Sequence, residues 1–185
     1  MREEIEDLKK LAKKFKEQLA PIKLFLMDSD GILTNGIVFF QGQEMGFNRY
    51  FHVSDGYIIK VLQENGVHVG VISGGDSLGL KKRMELLNVR HLYLGNEDKR
   101  SAFLDIQKKL KLADEEILYM GDELFDIPLM RKSGFSATVP HAPLEVMDIA
   151  DYVTTKKAGE GAVREVADIL RYAKNIHPNI PDFED

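Results

Sequence analysis

The chain contains no cysteine, which excludes a disulfide scaffold, a thiol nucleophile and any cysteine-held metal or cluster. Long apolar runs are missing too. Stretches such as ILYM and GVHVGVIS fall far short of the roughly 20 residues that a membrane-crossing helix needs. Nor is there an excess of basic residues: 25 Lys and Arg face 30 Asp and Glu, a formal charge of −5 with a pI near 5.6. A nucleic-acid partner held by bulk charge is therefore disfavoured. The opening MREEIEDLKKLAKKFKEQL mixes both charge signs and has no apolar h-region, so it does not read as a secretory signal. A cytoplasmic protein without membrane or nucleic-acid partners is the expectation. What is present is ordinary for a globular domain: 185 residues, 44% hydrophobic and 30% charged, enough for one domain with a real core.

Residues 1–20 form the first unit. Ile5, Leu8, Leu11, Phe15, Leu19 and Ile22 recur at spacings of three and four, the pattern of an amphipathic helix, and Pro21 marks its stop. The helix is expected to pack on the domain or on a partner subunit. Residues 21–175 alternate short apolar runs with helical segments. Strands are expected at Ile22–Met27, Val67–Ile72, His91–Leu94, Ile117–Met120 and Gly134–Thr138, with a further short one before the last helix. Between the first and second of these, Ile37–Val53 is aromatic and β-branched around the turn formers QGQEMG, and reads as a β-hairpin at about 37–53. Asp55 is expected to cap a helix that runs to about Glu64 and closes at Asn65-Gly66. Residues 176–185 are left as a poorly ordered tail. Strands alternating with helices make an α/β fold with a mainly parallel sheet. In such sheets the ligand lies beyond the carboxyl ends of the strands. The turns DSDG, SGGDS and GDELFD, each directly after a buried strand, should therefore converge on one crevice.

The chemistry sits in those turns. Asp28 and Asp30 are two residues apart, so strand periodicity turns both carboxylates to one side and Ser29 to the other. Two acids so placed suit an oxygen-ligated Mg²⁺, a nucleophile, or acid/base work, although DSDG alone also reads as a plain turn. Asp122 ends another buried strand and would face Asp28, with Asp126 four residues on. Acids at two neighbouring strand ends suggest a divalent-metal site, and hard oxygen donors favour Mg²⁺ over zinc. Ser73 offers a hydroxyl beside the backbone amides of Gly74 and Gly75, a place for an anion. Lys99 opens a helix, where a cation is unfavourable unless something negative is bound nearby.

In this order and spacing the motifs resemble those of the haloacid-dehalogenase superfamily. More narrowly, the chain is similar to the family of 3-deoxy-D-manno-octulosonate 8-phosphate phosphatases and relatives acting on nine-carbon acid-sugar phosphates. DSDGILTNG, SDGYIIK, HLYLGNEDK, YMGDELFDIPLM and AGEGAVREV carry that likeness, over roughly Ile22 to Asn175. The resemblance implies a Rossmann-like doubly wound parallel sheet, with the hairpin inserted after the first strand and no cap domain. It implies that Asp28 attacks phosphorus to form an aspartyl-phosphate and that Asp30 protonates the leaving sugar oxygen and later deprotonates water. Ser73 and Lys99 would hold the phosphate. Asp28, the backbone carbonyl of Asp30, and Asp122 would ligate Mg²⁺, with Asp126 supporting the loop. Thr34, Asn35, Gly74, Asp55, Gly56 and Arg164 would be substrate contacts. A homotetramer is implied as well, the hairpin serving in subunit packing and a neighbour's segment near Gly159–Arg164 closing the site.

Three positions depart from the family's pattern. Glu123 stands where an aspartate is common, while Ser54 and the Gly75-Asp76 pair stand where arginines are common. Both missing arginines are suited to gripping a substrate anion, so specificity transfers less safely than the phosphoryl chemistry. Arg49, Lys60 and Arg164 could supply the missing positive charge, though each also reads as a surface residue; His52 closes the hairpin, where it could approach the crevice. The rivals are a phosphatase of another small phosphate ester, a non-catalytic oligomeric binding module of this fold, and a receiver-like signalling domain. Asp30, which suits turnover, argues against the last.

Overall fold

Leu24–Met27 is buried at every residue, as expected of a strand covered on both faces of a parallel sheet. In the computed structural model, which describes residues 2–183, it is the first strand (β1) of a six-stranded parallel sheet. An isolated antiparallel pair follows, β2 (Phe39–Phe40) with β3 (Phe47–Asn48). The remaining sheet strands are β4 (His68–Ser73), β5 (His91–Leu94), β6 (Ile117–Met120), β7 (Phe135–Thr138) and β8 (Tyr152–Val153). The sheet order is β5-β4-β1-β6-β7-β8. From β1 the chain builds outward through β4 and β5, then crosses back and builds the other way through β6, β7 and β8. With right-handed crossovers this reversal puts helices on both faces of the sheet. The result is the doubly wound arrangement, with its switch point at β1 and β6.

Helix α1 (Arg2–Lys14) and the single turn α2 (Lys16–Leu19) together cover the N-terminal segment, broken at Phe15 rather than continuous. Its apolar stripe packs on α8 (Ala162–Ala173), burying Ala12, Phe15 and Leu19. Phe15 meets Phe135 edge-on at 5.2 Å. Helix α3 (Val53–Glu64) packs on α8, so these three lie on one face. Helices α4 (Leu78–Leu86), α5 (Arg100–Leu110), α6 (Ile127–Lys132) and α7 (Leu144–Met147) make the other connections. Ser77 caps α4 by accepting from the Leu80 amide at 3.1 Å. Among the described residues no helix is long and apolar enough to cross a membrane.

The hairpin is present after the first strand, paired over two residues per strand at Phe39–Phe40 and Phe47–Asn48, with Phe40 and Phe47 exposed. Two expectations need correction. Asp55 does not cap its own helix. That helix begins at Val53, and the Asp55 carboxylate, which is buried, accepts from the Arg164 amide at 2.7 Å, capping the distant α8. Finally, the tail read at 176–185 begins with a core residue: Ile176 is buried and its amide bonds to the Arg171 carbonyl. Glu184 and Asp185, like Met1, lie outside the described residues.

Candidate active site

The carboxyl ends of β4, β1 and β6 are neighbours, and the turns after them meet. A cavity of about 310 Å³ there is lined by Asp28, Asp30, Gly31, Gly36, Ser73, Gly74, Gly75, Glu97, Asp122, Glu123 and Phe125. The three motif turns thus share one crevice.

Asp28 directly follows β1. Its amide still bonds to the Met120 carbonyl of β6 at 2.9 Å, so the sheet fixes its position. The side chain is buried; Oδ1 accepts from the Ser29 amide at 2.6 Å and Oδ2 meets Lys99 Nζ at 2.8 Å. Lys99 is buried as well, and its ammonium bridges Asp28 to Asp126 Oδ1, 2.7 Å away. Phe125 lies over the same ammonium, 4.4 Å from ring centre to Nζ. A lysine at the start of α5 is thus stabilised by what faces it, not by its helix.

Asp126 organises the loop after β6. Its Oδ1 accepts from Lys99 and from the buried Tyr119 hydroxyl at 2.7 Å, and its Oδ2 from the Asp122 and Glu123 amides at 3.1 Å each. With both oxygens occupied, it holds Asp122 in place. Asp122, by contrast, has a buried Oδ1 with no hydrogen-bond partner among the described residues. Gly31 makes room for that carboxylate: its φ is +87°, and a Cβ there would stand 1.9 Å from Asp122 Oδ2.

Oxygens of Asp28, Asp122 and Asp126 lie within 4.8 Å of one another. Three carboxylates facing one ammonium leave negative charge in excess, and burial raises its cost. Burial pushes Asp28 up to about 7, against the pull of Lys99 and helped by Asp126. Burial, then the charges of Asp28 and Asp126, push Asp122 up to about 8. An all-oxygen donor set, an orphaned buried carboxylate oxygen and surplus negative charge together fit a hard divalent cation such as Mg²⁺.

Ser73 is buried at the end of β4, its Oγ accepting from the Gly75 amide at 3.2 Å. Thr34 donates its hydroxyl to Asp30 Oδ1 at 3.3 Å, supporting Asp30 from the side. Asn35 is exposed and its Oδ1 accepts from the Ile37 amide. The structure does not bring Asp55, Gly56 or Arg164 to this crevice. Asp55 Oδ1 caps α8 while its buried Oδ2 has no hydrogen-bond partner among the described residues, and Gly56 packs under Arg83, whose Nη2 would meet a Cβ at 2.1 Å. The Arg164 side chain pairs with Asp168 at 2.7 Å. The segment at Gly159 packs on this chain's own Thr34–Asn35 backbone, a Cβ there meeting Asn35 N at 2.6 Å. His52 bonds to Ser54, Nδ1 to Oγ at 2.6 Å, away from the cavity; Lys60 is exposed on α3.

Sequence reasoning missed one neighbour of the acids: Tyr119 reads as a core residue, and nothing in its spacing marks the hydroxyl it gives to Asp126. Arg49, one of the three cations named as replacements for the absent arginines, is buried rather than on the surface and forks onto Asp30, Nε to Oδ1 and Nη2 to Oδ2, both at 2.5 Å.

Residues 88–166 match the family model for haloacid dehalogenase-like hydrolases. The chain is 38% identical over 155 residues to the 3-deoxy-D-manno-octulosonate 8-phosphate phosphatase KdsC of Escherichia coli (strain K12), covering 83% of this chain and 81% of that one. The 3-deoxy-D-manno-octulosonate 8-phosphate phosphatase of Moraxella catarrhalis, crystallised with a magnesium ion, a phosphate ion and a KDO molecule, superposes with a TM-score of 0.84. It is 34% identical, over 88% of this chain and 93% of that one. The cobalt-bound deoxy-D-mannose-octulosonate 8-phosphate phosphatase of Haemophilus influenzae gives a TM-score of 0.79 at 34% identity, covering 85% and 92%.

Proposed function

We infer the reaction from kinship and crevice together: the chain belongs to the haloacid dehalogenase-like hydrolases, in the 3-deoxy-D-manno-octulosonate 8-phosphate phosphatase branch. It is a Mg²⁺-dependent phosphoric monoester hydrolase that releases inorganic phosphate from 3-deoxy-D-manno-octulosonate 8-phosphate. The observation that carries this reading is the buried Asp28–Lys99–Asp122 cluster at the sheet's switch point, with Asp30 and Ser73 at its mouth.

Asp28 is the nucleophile. Its carboxylate oxygen bonds to phosphorus while the bond from phosphorus to the sugar oxygen breaks, and Asp30 delivers its proton to that oxygen. Asp30 then takes a proton from water, whose oxygen displaces Asp28 and frees phosphate. Ser73 and the Gly74 amide receive the phosphoryl oxygens, and Lys99 neutralises charge on Asp28 and the transferring group. Asp28, Asp122 and the Asp30 carbonyl would hold Mg²⁺, which when bound would supply further neutralisation of charge on the phosphoryl group. Asp126 keeps the ammonium and the Asp122 loop in register.

The substrate is charged and does not cross a bilayer unaided, so the enzyme belongs in the compartment where its ester is made. We place it in the cytoplasm, in the making of a surface sugar such as that of lipopolysaccharide. We also propose a homotetramer. Its support is the exposed apolar surface at Ile37, Val38, Phe40, Phe47 and Tyr50 around the hairpin, a liability on a lone subunit. The same assembly would bring a neighbour's surface toward the uncapped crevice.

A panel decides between substrates. Phosphate release is measured with Mg²⁺ on eight-carbon and nine-carbon acid-sugar phosphates and on hexose phosphates, with Asp28→Asn as the blank. Strong preference for the eight-carbon ester supports the reading. Indiscriminate release favours the competing one, another small phosphate ester, which rests on Ser54 and Gly75 in place of arginines.

A further inference from the structure

The segment after β3 brings a charge against Asp30 and Gly75, which line the crevice. Arg49 is 8% exposed, a rare place for a guanidinium. Its Nε and Nη2 edge faces Asp30 in a two-bond fork. Nη1, equally buried, has no partner among the described residues. Among the described residues Asp30 is therefore the one hydrogen-bond partner of this buried side chain. Burying an ion pair returns little stability, because desolvation offsets the attraction; the fork's larger effect is on the orientation of Asp30. It fixes the plane of the carboxylate, and Thr34 Oγ1 steadies Oδ1 from another side at 3.3 Å.

Gly75 admits this arrangement. A Cβ there would stand 2.9 Å from Asp30 Oδ2 and 3.1 Å from Arg49 Nη2. A long side chain at position 75 and the Arg49 guanidinium compete for one volume. The segment carrying Arg49 is itself anchored: Asn48 Oδ1 accepts from the Arg49 amide at 2.9 Å and sits over Gly79 of α4, where a Cβ would be 2.2 Å from that oxygen.

We propose that Arg49 is the positioning residue for Asp30, reaching in over Gly75 to aim the carboxyl group at the leaving oxygen. This rests on reading Asp30 as the acid/base of the proposed reaction. The fork acts on kcat for esters whose leaving oxygen needs a proton, and much less on esters with a good leaving group.

The test compares the acid-sugar phosphate, a poor alkoxide leaving group, with 4-nitrophenyl phosphate, a good one, across wild type, Asp30→Asn, Arg49→Gln and Arg49→Lys. Asp30→Asn should lower kcat on the sugar ester by about 100-fold or more, the usual reach of a positioned acid, and lower the aryl ester far less. Arg49→Gln should show the same lopsided loss at about 30-fold, with KM changed less than kcat, and combining the two should add little. Arg49→Lys, which keeps charge but not the fork, should recover part of the loss and serves if the Gln variant fails to fold. Equal losses on both esters for the Arg49 variants, with Asp30→Asn lopsided, would overturn the proposal alone. Equal losses for Asp30→Asn would overturn the acid/base reading and the proposal with it.

Discussion

Replacing Lys99 by methionine removes a buried charge while keeping most of the volume. In the native chain its ammonium lies 2.8 Å from Asp28 and 2.7 Å from Asp126, with Asp122 in the same cluster. Without it, the carboxylates lose their compensating charge and must either repel one another or take up protons. Breaking a buried pair by removing one partner costs about 3–5 kcal/mol. For a chain of this size each kcal/mol moves the melting temperature by about 2–4 °C, so Lys99→Met should melt about 6–20 °C lower in metal-free buffer near pH 8. The loss should shrink near pH 5.5, where protons replace the lost cation, and Mg²⁺ should restore part of it at pH 8. Activity should fall by about 10²–10³-fold, the usual cost of removing one charge stabiliser from such a site. Thermal unfolding by circular dichroism, with and without chelator at both pH values, checks the first part and phosphate release the second. An unchanged melting temperature at pH 8 without metal would refute the view that Lys99 compensates the cluster.

Other perturbations test the same geometry. In metal-free protein Asp28 and Asp122 sit at about 7 and 8, above their unfolded values, so the folded chain holds more protons than the unfolded one. Stability should therefore decline as pH rises from about 4 to 8, and saturating Mg²⁺ should flatten the decline; a metal-free melting temperature that climbs over this window contradicts it. Gly31→Ala forces a Cβ onto Asp122 at a φ of +87° and should weaken Mg²⁺ binding by at least about 10-fold, measured by calorimetry. Asp55→Ala should cost about 1 kcal/mol by uncapping α8, whereas Asp55→Asn, which keeps an acceptor for the Arg164 amide, should cost under half of that. Equal costs in the denaturation midpoints would show that the cap is not what Asp55 supplies.

The sheet was legible because its central strands are short, wholly apolar and punctuated by acidic or glycine-containing turns. DSDG, SGGDS and GDELFD could be placed on one crevice because each directly follows a buried strand of an α/β alternation, whose ligands lie beyond the strands' carboxyl ends, and Lys99 from its misfit at a helix start. What escaped depends on partners far away in the chain. Asp55 looked like a local cap, yet it serves an amide 109 positions on, and no local pattern records that. Arg49 sits 19 residues from Asp30, beyond a turn whose conformation sets whether its side chain points out or in. The hairpin is legible as a strand pair from its aromatic and β-branched residues, but its short extent is not, because Phe40 and Phe47 pair only with each other in a separate two-stranded sheet and stay exposed.

The central claim is that Asp28 carries the phosphoryl group. Its most direct test is rapid quenching of the Mg²⁺-loaded enzyme with 3-deoxy-D-manno-octulosonate 8-phosphate, followed by mass analysis of the peptide spanning β1 and DSDG. The account predicts one phosphoryl group on Asp28, formed and lost within a turnover and absent from Asp28→Asn. Full turnover by Asp28→Asn, or turnover by wild type with that peptide never modified, would contradict it.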